Sequence, residues 1–273
     1  MTTEVKTLQR ARGQANVAVK RRGDATRVQK LYQSGCAKVL LPRTHGQMPE
    51  AVFINTSGGL TGGDRIDLSF DAGRECRLAV TTQAAERIYR STGGAASITA
   101  SLKVGARAAL DWLPQETILF DGASLRRRLN VELEPEAQII ALETLVFGRA
   151  AMGETLNSVS ISDQWRIYRC GKLLHAEAIQ LDRGLHAARE GRAGLQSARA
   201  IATVIQVAPD ADSRLDLARG WLAREPGVLG AFSAKPDILI ARFAASDAAL
   251  LRKALIRFLM QLRGTTLTRV WSL

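Results

Sequence analysis

The sequence predicts a mainly β protein: a sandwich, barrel or β-solenoid-like body with two α-helices of the C-terminal half packed on it. Three observations carry that prediction. The first two-thirds of the 273 residues break into short runs with an apolar residue at every second position, the period of a half-buried strand. Glycine-containing turns separate those runs. Helical periodicity with capping residues is confined to the region near the C-terminus. No linker divides the chain and no internal repeat stands out, so residues 1–273 read as one domain, with 1–15 expected to be flexible.

In chain order, "RIDLSF" sets Ile66, Leu68 and Phe70 against Arg65, Asp67 and Ser69. "ITASLKV" repeats the pattern with Ile98, Leu102 and Val104, and Ala108, Leu110 and Trp112 follow. In "LRRRLNVELEP", Leu125, Leu129, Val131 and Leu133 alternate with Arg and Glu, which leaves Arg127 either on the apolar side or at a bulge. "QIIALETLVFG" is a continuous apolar run, suited to a strand buried on both faces. "WRIYRCGKLLHAEAIQL" predicts a hairpin turning at Cys170-Gly171-Lys172. Residues 184–199, rich in Gly, Ala and Arg, predict a flexible loop. A helix is predicted over 213–225, with Leu215, Ala218, Trp221 and Leu222 on one face and Asp212 or Ser213 as its cap. A second, over 247–263, carries the stripe Leu251, Leu255, Phe258 and Leu262, with Ser246 as cap and Gly264 as terminator.

At 46% hydrophobic and 23% charged residues, the composition is that of a soluble globular protein. No secretory h-region opens the sequence and no run approaches the ~18 apolar residues of a membrane span. Cys36, Cys76 and Cys170 are odd in number and far apart, which fits a reducing, cytoplasmic compartment. The net charge of +12 arises from 30 arginines and 8 lysines against 26 acids, spread along the chain. Aromatics are few and no zinc-finger, RNP-like or basic-zipper spacing occurs, so acidic proteins rather than nucleic acid are the expected partners.

The stretch "INTSGGLTGGDRIDLSF" holds Gly58, Gly59, Gly62 and Gly63. A phosphate loop would end in Gly-Lys-Ser/Thr and open a helix, whereas here Asp64 follows and a strand begins. The glycines are therefore expected to shape a tight connection through positive φ or close backbone approach. His45, His175 and His186 show no i, i+4 pairing, and there is no Cys-x-x-Cys or Gly-x-Ser-x-Gly. Glu116 and Asp121 lie in a turn, where carboxylates cap or face solvent. Asp64 at the edge of the loop, Glu143 inside the apolar run and Glu177 on the second hairpin strand are more suggestive. An acid in a buried strand must be paired, protonated or facing water. That leaves a buried pair with an arginine such as Arg149, or a polar passage through the β body. A β-rich hydrolase with a carboxylate active site is the alternative from another class.

Taken together, "LYQSGCAKVLLP", "INTSGGLTGGD", "TTQAAERIYRS", "LDWLPQETILFDGASLRRRLNVEL", "LETLVFGRAAMGE" and "RVWSL" resemble the UreD (UreH) family of urease accessory proteins. They occur in family order from about residue 16 to the C-terminus. The resemblance implies an elongated, mostly β body with two helices, and a nickel-delivery factor rather than an enzyme. It implies no tightly bound cofactor, only nickel in transit, with apo-urease bound on one side, UreF on the other, and the GTPase UreG reached through UreF. Carried onto this chain, the acids of the family's nickel tunnel match Asp64, Glu143 and, less closely, Glu177. Thr81, Thr82 and Arg149 fall at positions that either line the tunnel or pack the strands. The C-terminal helix and the tail, with Arg269 and Trp271, match the UreF-facing surface. The chain departs from the family pattern at Ser57, where Pro is common, and at Glu86-Arg87, where a lysine is common. Its tail also lacks the usual proline.

Overall fold

The computed structural model describes residues 9–43, 48–149, 153, 154, 156–182, 195 and 198–272. His45, His186 and nearly all of the loop expected at 184–199 lie outside them. The chain opens with the antiparallel hairpin β1 (Arg12–Arg22) and β2 (Ala25–Gly35). β1 also pairs in parallel with a later strand from Arg12 onward, so residues 12–15 are strand, which corrects the expectation of a flexible 1–15. β3 (Ala37–Leu40) and β4 (Glu50–Asn55) begin a second sheet.

From there the chain shuttles between the sheets. β5 (Arg65–Ala72) in the first leads to β6 (Arg77–Thr82) in the second, and the short β7 (Glu86–Ile88) lies on the way back. β8 (Ala96–Val104), β9 (Ala109–Leu113) and the short β10 (Thr117–Leu119) repeat the circuit, and β11 (Ala123–Leu133) to β12 (Gln138–Phe147) begins a third. Equivalent strands stack in parallel, β5–β8–β11 in one sheet and β4–β6–β9–β12 in the other. The body is thus β-solenoid-like.

β13 (Val159–Arg169) stacks on β11 and turns through Cys170-Gly171, both at positive φ, into the edge strand β14 (Lys172–Asp182). β15 (Ala200–Val207) pairs antiparallel to β12, and β17 (Ile238–Ala245) and then β16 (Val228–Lys235) extend the second sheet, each antiparallel to its neighbour. β15 lies ahead of the two predicted helices and β16 and β17 between them, and none of the three was anticipated.

The crossings from the first sheet to the second form a repeat, contrary to the sequence expectation. Gly73-Arg74-Glu75-Cys76, Gly105-Ala106-Arg107-Ala108 and Glu134-Pro135-Glu136-Ala137 make one corner three times. In each, the N–H of the fourth residue donates to the carbonyl of the first at 3.0–3.1 Å, and the third residue has φ of 56–59°. The fourth residue, small each time, is fully buried. Successive corners are stitched together: the Glu75 N–H donates to Ala106 and the Arg107 N–H to Pro135. Position by position the corners share shape and not identity, so the repeat escapes a reading by residue type.

Alternation sorts the side chains into two cores. Phe70, Trp112, Leu129, Ile139, Leu145 and Trp165 fill the space between the sheets. Ile140, Leu142 and Val146, on the other face of β12, pack under the helices, so this strand is buried on both faces as expected. The helices are α1 (Leu215–Leu222) and α2 (Ala248–Arg263). Asp212 and Ser213 form a 3-10 turn ahead of α1, which begins without a side-chain cap. α2 is capped by Asp247, one residue later than expected: its Oδ1 accepts from the Leu250 N–H at 2.9 Å. Gly264, at φ 66°, ends it, and Leu251, Leu255, Phe258 and Leu262 are buried as predicted. The tail folds back as a 3-10 turn and buries Trp271 in this second core, where its Nε1 donates to the Leu113 carbonyl at 3.1 Å. Trp271 therefore faces inward, correcting its assignment to a partner-facing surface; Arg269 is exposed.

The Gly-rich loop uses its glycines in both expected ways. Gly58, Gly59 and Gly63 have positive φ. Gly62 instead lies where a Cβ would sit 2.1 Å from Ser91 Oγ and 2.4 Å from the Gly93 carbonyl. A Gly62→Ala variant is expected to lose on the order of 2 kcal/mol by urea denaturation. Gly93→Ala, with nothing within 4 Å of the added methyl, is expected to stay within about 0.5 kcal/mol of wild type.

Candidate functional site

The register of β11 against β8 and β13 is unbroken, so Arg127 keeps phase with Leu125 and Leu129 and points into the inter-sheet core without a bulge. Arg127 is 3% exposed. A charge there must be compensated by buried partners. Its Nη2 donates to Asp163 Oδ2 at 2.6 Å, from the residue directly opposite on β13. Its Nη1 donates to Glu143 of β12 and, at 3.0 Å, to Thr117 Oγ1 of β10. The second oxygen of Glu143 accepts from Trp112 Nε1 at 2.9 Å. One guanidinium thus ties both sheets together through two carboxylates. Asp163 Oδ1 and Arg127 Nε are buried without a hydrogen-bond partner among the described residues.

These groups line a cavity of about 10 Å³ between the sheets, room for about one water molecule. Glu177 of β14 and Thr203 of β15 complete its polar lining. Across the rim, Glu177 accepts from Arg242 of β17, and His175 Nε2 lies 3.5 Å from it. Burial raises the pKa of Glu177, but His175 and Arg242 outweigh it and hold the carboxyl below its ordinary range. Glu143 behaves oppositely. Burial pushes it up to about 7, with Arg127 pulling down and the Asp163 charge pushing further up. Burial also works against the charge of Arg127, yet Asp163 and Glu143 prevail and hold its pKa above the ordinary value.

Of the acids singled out in the sequence, Glu143 and Glu177 meet at this cavity and Asp64 does not. Asp64 clamps the Gly-rich loop: Oδ1 accepts from the Ala11 N–H and Oδ2 from the Thr61 N–H, both at 2.8 Å. Thr81 donates to the Thr82 carbonyl; the Thr82 hydroxyl donates to the Ala84 carbonyl and accepts from the Gln115 N–H. None of these residues lines the cavity. Arg149 is at the surface, paired with Glu154 and stacked 4.5 Å over the Phe120 ring, so the partner of Glu143 is Arg127 and not Arg149. Glu116 pairs with Arg252, and Asp121 caps the Asn157 and Ser158 amides, as turn carboxylates do. Asp163 was missed, although its phase with Ile161, Trp165 and Ile167 in "VSISDQWRIYR" puts it on the buried side of its strand. Among the described residues no group of three His, Cys, Asp or Glu side chains is arranged to hold a metal ion, and no helix is long and apolar enough to cross a membrane.

Fold and site together define a solenoid-like β protein with a buried, carboxylate-rich polar cluster in its core, a class without a groove at that cluster for an organic substrate. The model of the UreD urease accessory protein family matches residues 11–272. The chain is 48% identical to the urease accessory protein UreD of Chelativorans sp. (strain BNC1), over 97% of this chain and 95% of that protein. It is 46% identical to UreD of Rhizobium leguminosarum bv. viciae, over 97% and 96%, and 44% identical to UreD of Methylobacterium sp. (strain 4-46), over 92% and 90%. The chain belongs to the UreD family of urease accessory proteins, and its role lies in urease maturation.

Glu86 of β7 has an electrostatic consequence for stability. Burial pushes the Glu86 carboxyl up to about 7, against the Asn55 amide that donates to both its oxygens at 3.0 and 3.1 Å. A folded-state pKa above the unfolded value stabilises the protonated fold. The contribution of Glu86 is complete below about 4.5 and is lost as pH climbs through about 7. In urea denaturation at half-unit pH steps, Glu86→Gln is expected to show a shallower decline over that window than wild type.

Proposed function

We propose that this chain is a non-catalytic scaffold that bridges apo-urease to UreF, with UreG recruited through UreF, and that nickel crosses it between the two sheets, past Glu143 and Glu177. The observation that carries this reading is the meeting of those two acids, together with Asp163, at one inter-sheet cavity. Carboxylate and water oxygens escort a divalent ion, whereas a closed His/Cys cage would hold it. Nickel is the cargo, with no resident cofactor. A cavity of about 10 Å³ is far below the ~300 Å³ of the smallest usual ligand pockets, which disfavours Glu143 and Glu177 as the active-site acids of a hydrolase.

Asp64 serves this reading by fixing the loop, and Thr81, Thr82 and Arg149 by packing strand ends and the surface. The exposed side of α2 and Arg269 remain the surface proposed to face UreF. The working compartment is the cytoplasm, and the excess of 12 positive charges favours acidic protein partners over nucleic acid.

The test is nickel delivery. Glu143→Gln and Glu177→Gln are expected to co-purify with urease and UreF as wild type does, while the nickel content and activity of the urease fall several-fold. Urease loaded to the wild-type level by both variants would remove the passage from this cavity. Asp64→Ala is expected to act differently, lowering the thermal midpoint of the chain itself.

A further inference from the structure

We propose that Arg127 is the gate of this cavity: its guanidinium occupies the place between Glu143 and Asp163 that a divalent cation would take, and metal crosses only when the cation displaces it. The inference rests on the reading that metal passes here, and it adds what controls the passage. Four observations support it. The guanidinium bridges both carboxylates, with Nη2 2.6 Å from Asp163 Oδ2 and Nη1 bonded to Glu143. The arginine is nine-tenths buried and more, yet its Nε and the far oxygen of Asp163 remain unpartnered among the described residues. The cavity admits about one water and no hydrated ion while the side chain stands where it does. Finally, Nη1 also donates to Thr117 Oγ1 at 3.0 Å, an uncharged acceptor beside the two carboxylates.

Charge explains why the gate is selective. Arginine does not deprotonate in proteins, so it leaves by moving and not by losing a proton. With both acids ionised, one guanidinium balances one of two carboxylates whereas a dication balances both, and that gain is what offsets the dication's larger dehydration cost. With Arg127 in place the two acids are a poor trap, and nickel is passed on rather than stored. Without it, two buried carboxylates face each other across an unoccupied centre and bind the ion they should release.

The experiment uses the full chain with NiCl2 alone as probe, reading nickel retained after gel filtration and the thermal midpoint with and without the salt. Arg127→Met, which keeps the apolar stem, is expected to retain about one nickel per chain and to melt roughly 5 °C higher at a hundredfold excess over its Kd. Wild type and the Arg127→Met/Glu143→Gln double variant are expected to do neither. Urease matured with Arg127→Met should carry several-fold less nickel. If Arg127→Met retains no nickel and shows no midpoint shift while Glu143→Gln still impairs delivery, the gate is wrong and the passage stands. Retention by Arg127→Met with unimpaired delivery by Glu143→Gln would sink the passage and leave only a cation-exchange site. Should Arg127→Met fail to fold, Arg127→Lys decides: a single ammonium bridges two carboxylates poorly, so retention above wild type supports the gate and retention equal to wild type overturns it.

Discussion

The Arg127 guanidinium is a fully buried charge on which the two sheets converge. It reaches from β11 to Asp163 in its own sheet and to Glu143 in the other, with Thr117 and Trp112 closing the network. Breaking such a buried pair by removing one partner typically costs about 3–5 kcal/mol, because a charge is stranded. Replacing the whole set by apolar residues of similar volume is often neutral or stabilising. Stability alone is therefore a weak reason to build this cluster into a core otherwise filled by Phe70, Leu129, Leu145 and Trp165. A role in handling charge is the stronger one.

The solenoid supplies the rigidity that lets three strands aim side chains at one point. Parallel stacking holds β8, β11 and β13 in fixed register, so each inward position on one strand faces an inward position on the next. The repeated corner ties the ends of β5, β8 and β11 together in that register. Glu75, Arg107 and Glu136 all accept a left-handed φ, a conformation uncommon outside glycine, and the hydrogen bonds between successive corners bind each to the one above it. The corners are charged on the outside and closed on the inside by Cys76, Ala108 and Ala137, whose small size lets the chain turn against the core.

Most of the fold was legible where one local rule decides the structure. Period-two alternation located β5, β8 and β11, the unbroken apolar run gave the doubly buried β12, and the missing lysine with a following strand turned "GGLTGGD" from a phosphate cradle into a connection. The misses share a cause: they depend on what lies across from the residue in space. Whether Arg127 bulged or pointed inward was undecidable until β11 was set in register, and Asp163 drew notice only as its opposite number. Trp271 read as an exposed tail residue because the fold-back of the chain onto Leu113 is not a local property. β15, ahead of the first helical pattern, and β16 and β17, between the two, were overlooked, although "AIATVIQV" and "DILIARFAA" are β-rich once β12 is known to need a partner on that side.

The geometry also says where the body can open. Along the coils the sheets are joined by apolar side chains, and separating them would expose the core. At the β14–β17 end they are joined by polar contacts near solvent: Arg242 with Glu177, Arg169 with Asp237 at 2.8 Å, and the Lys235 ammonium with the Leu174 carbonyl. The Arg242 and Asp237 side chains are about half exposed while their partners Glu177 and Arg169 are largely covered, so these pairs lie between fully exposed ones, worth about 0–1 kcal/mol each, and the buried cluster. Spreading this edge strands less charge than breaking the Arg127 cluster behind it, although it also parts Leu174, Ile179 and Leu181 from the inter-sheet core. For the proposed passage those magnitudes imply an order of events: the rim would yield first, a hydrated ion would gain access to Glu177, and the guanidinium would be displaced only by a cation already inside.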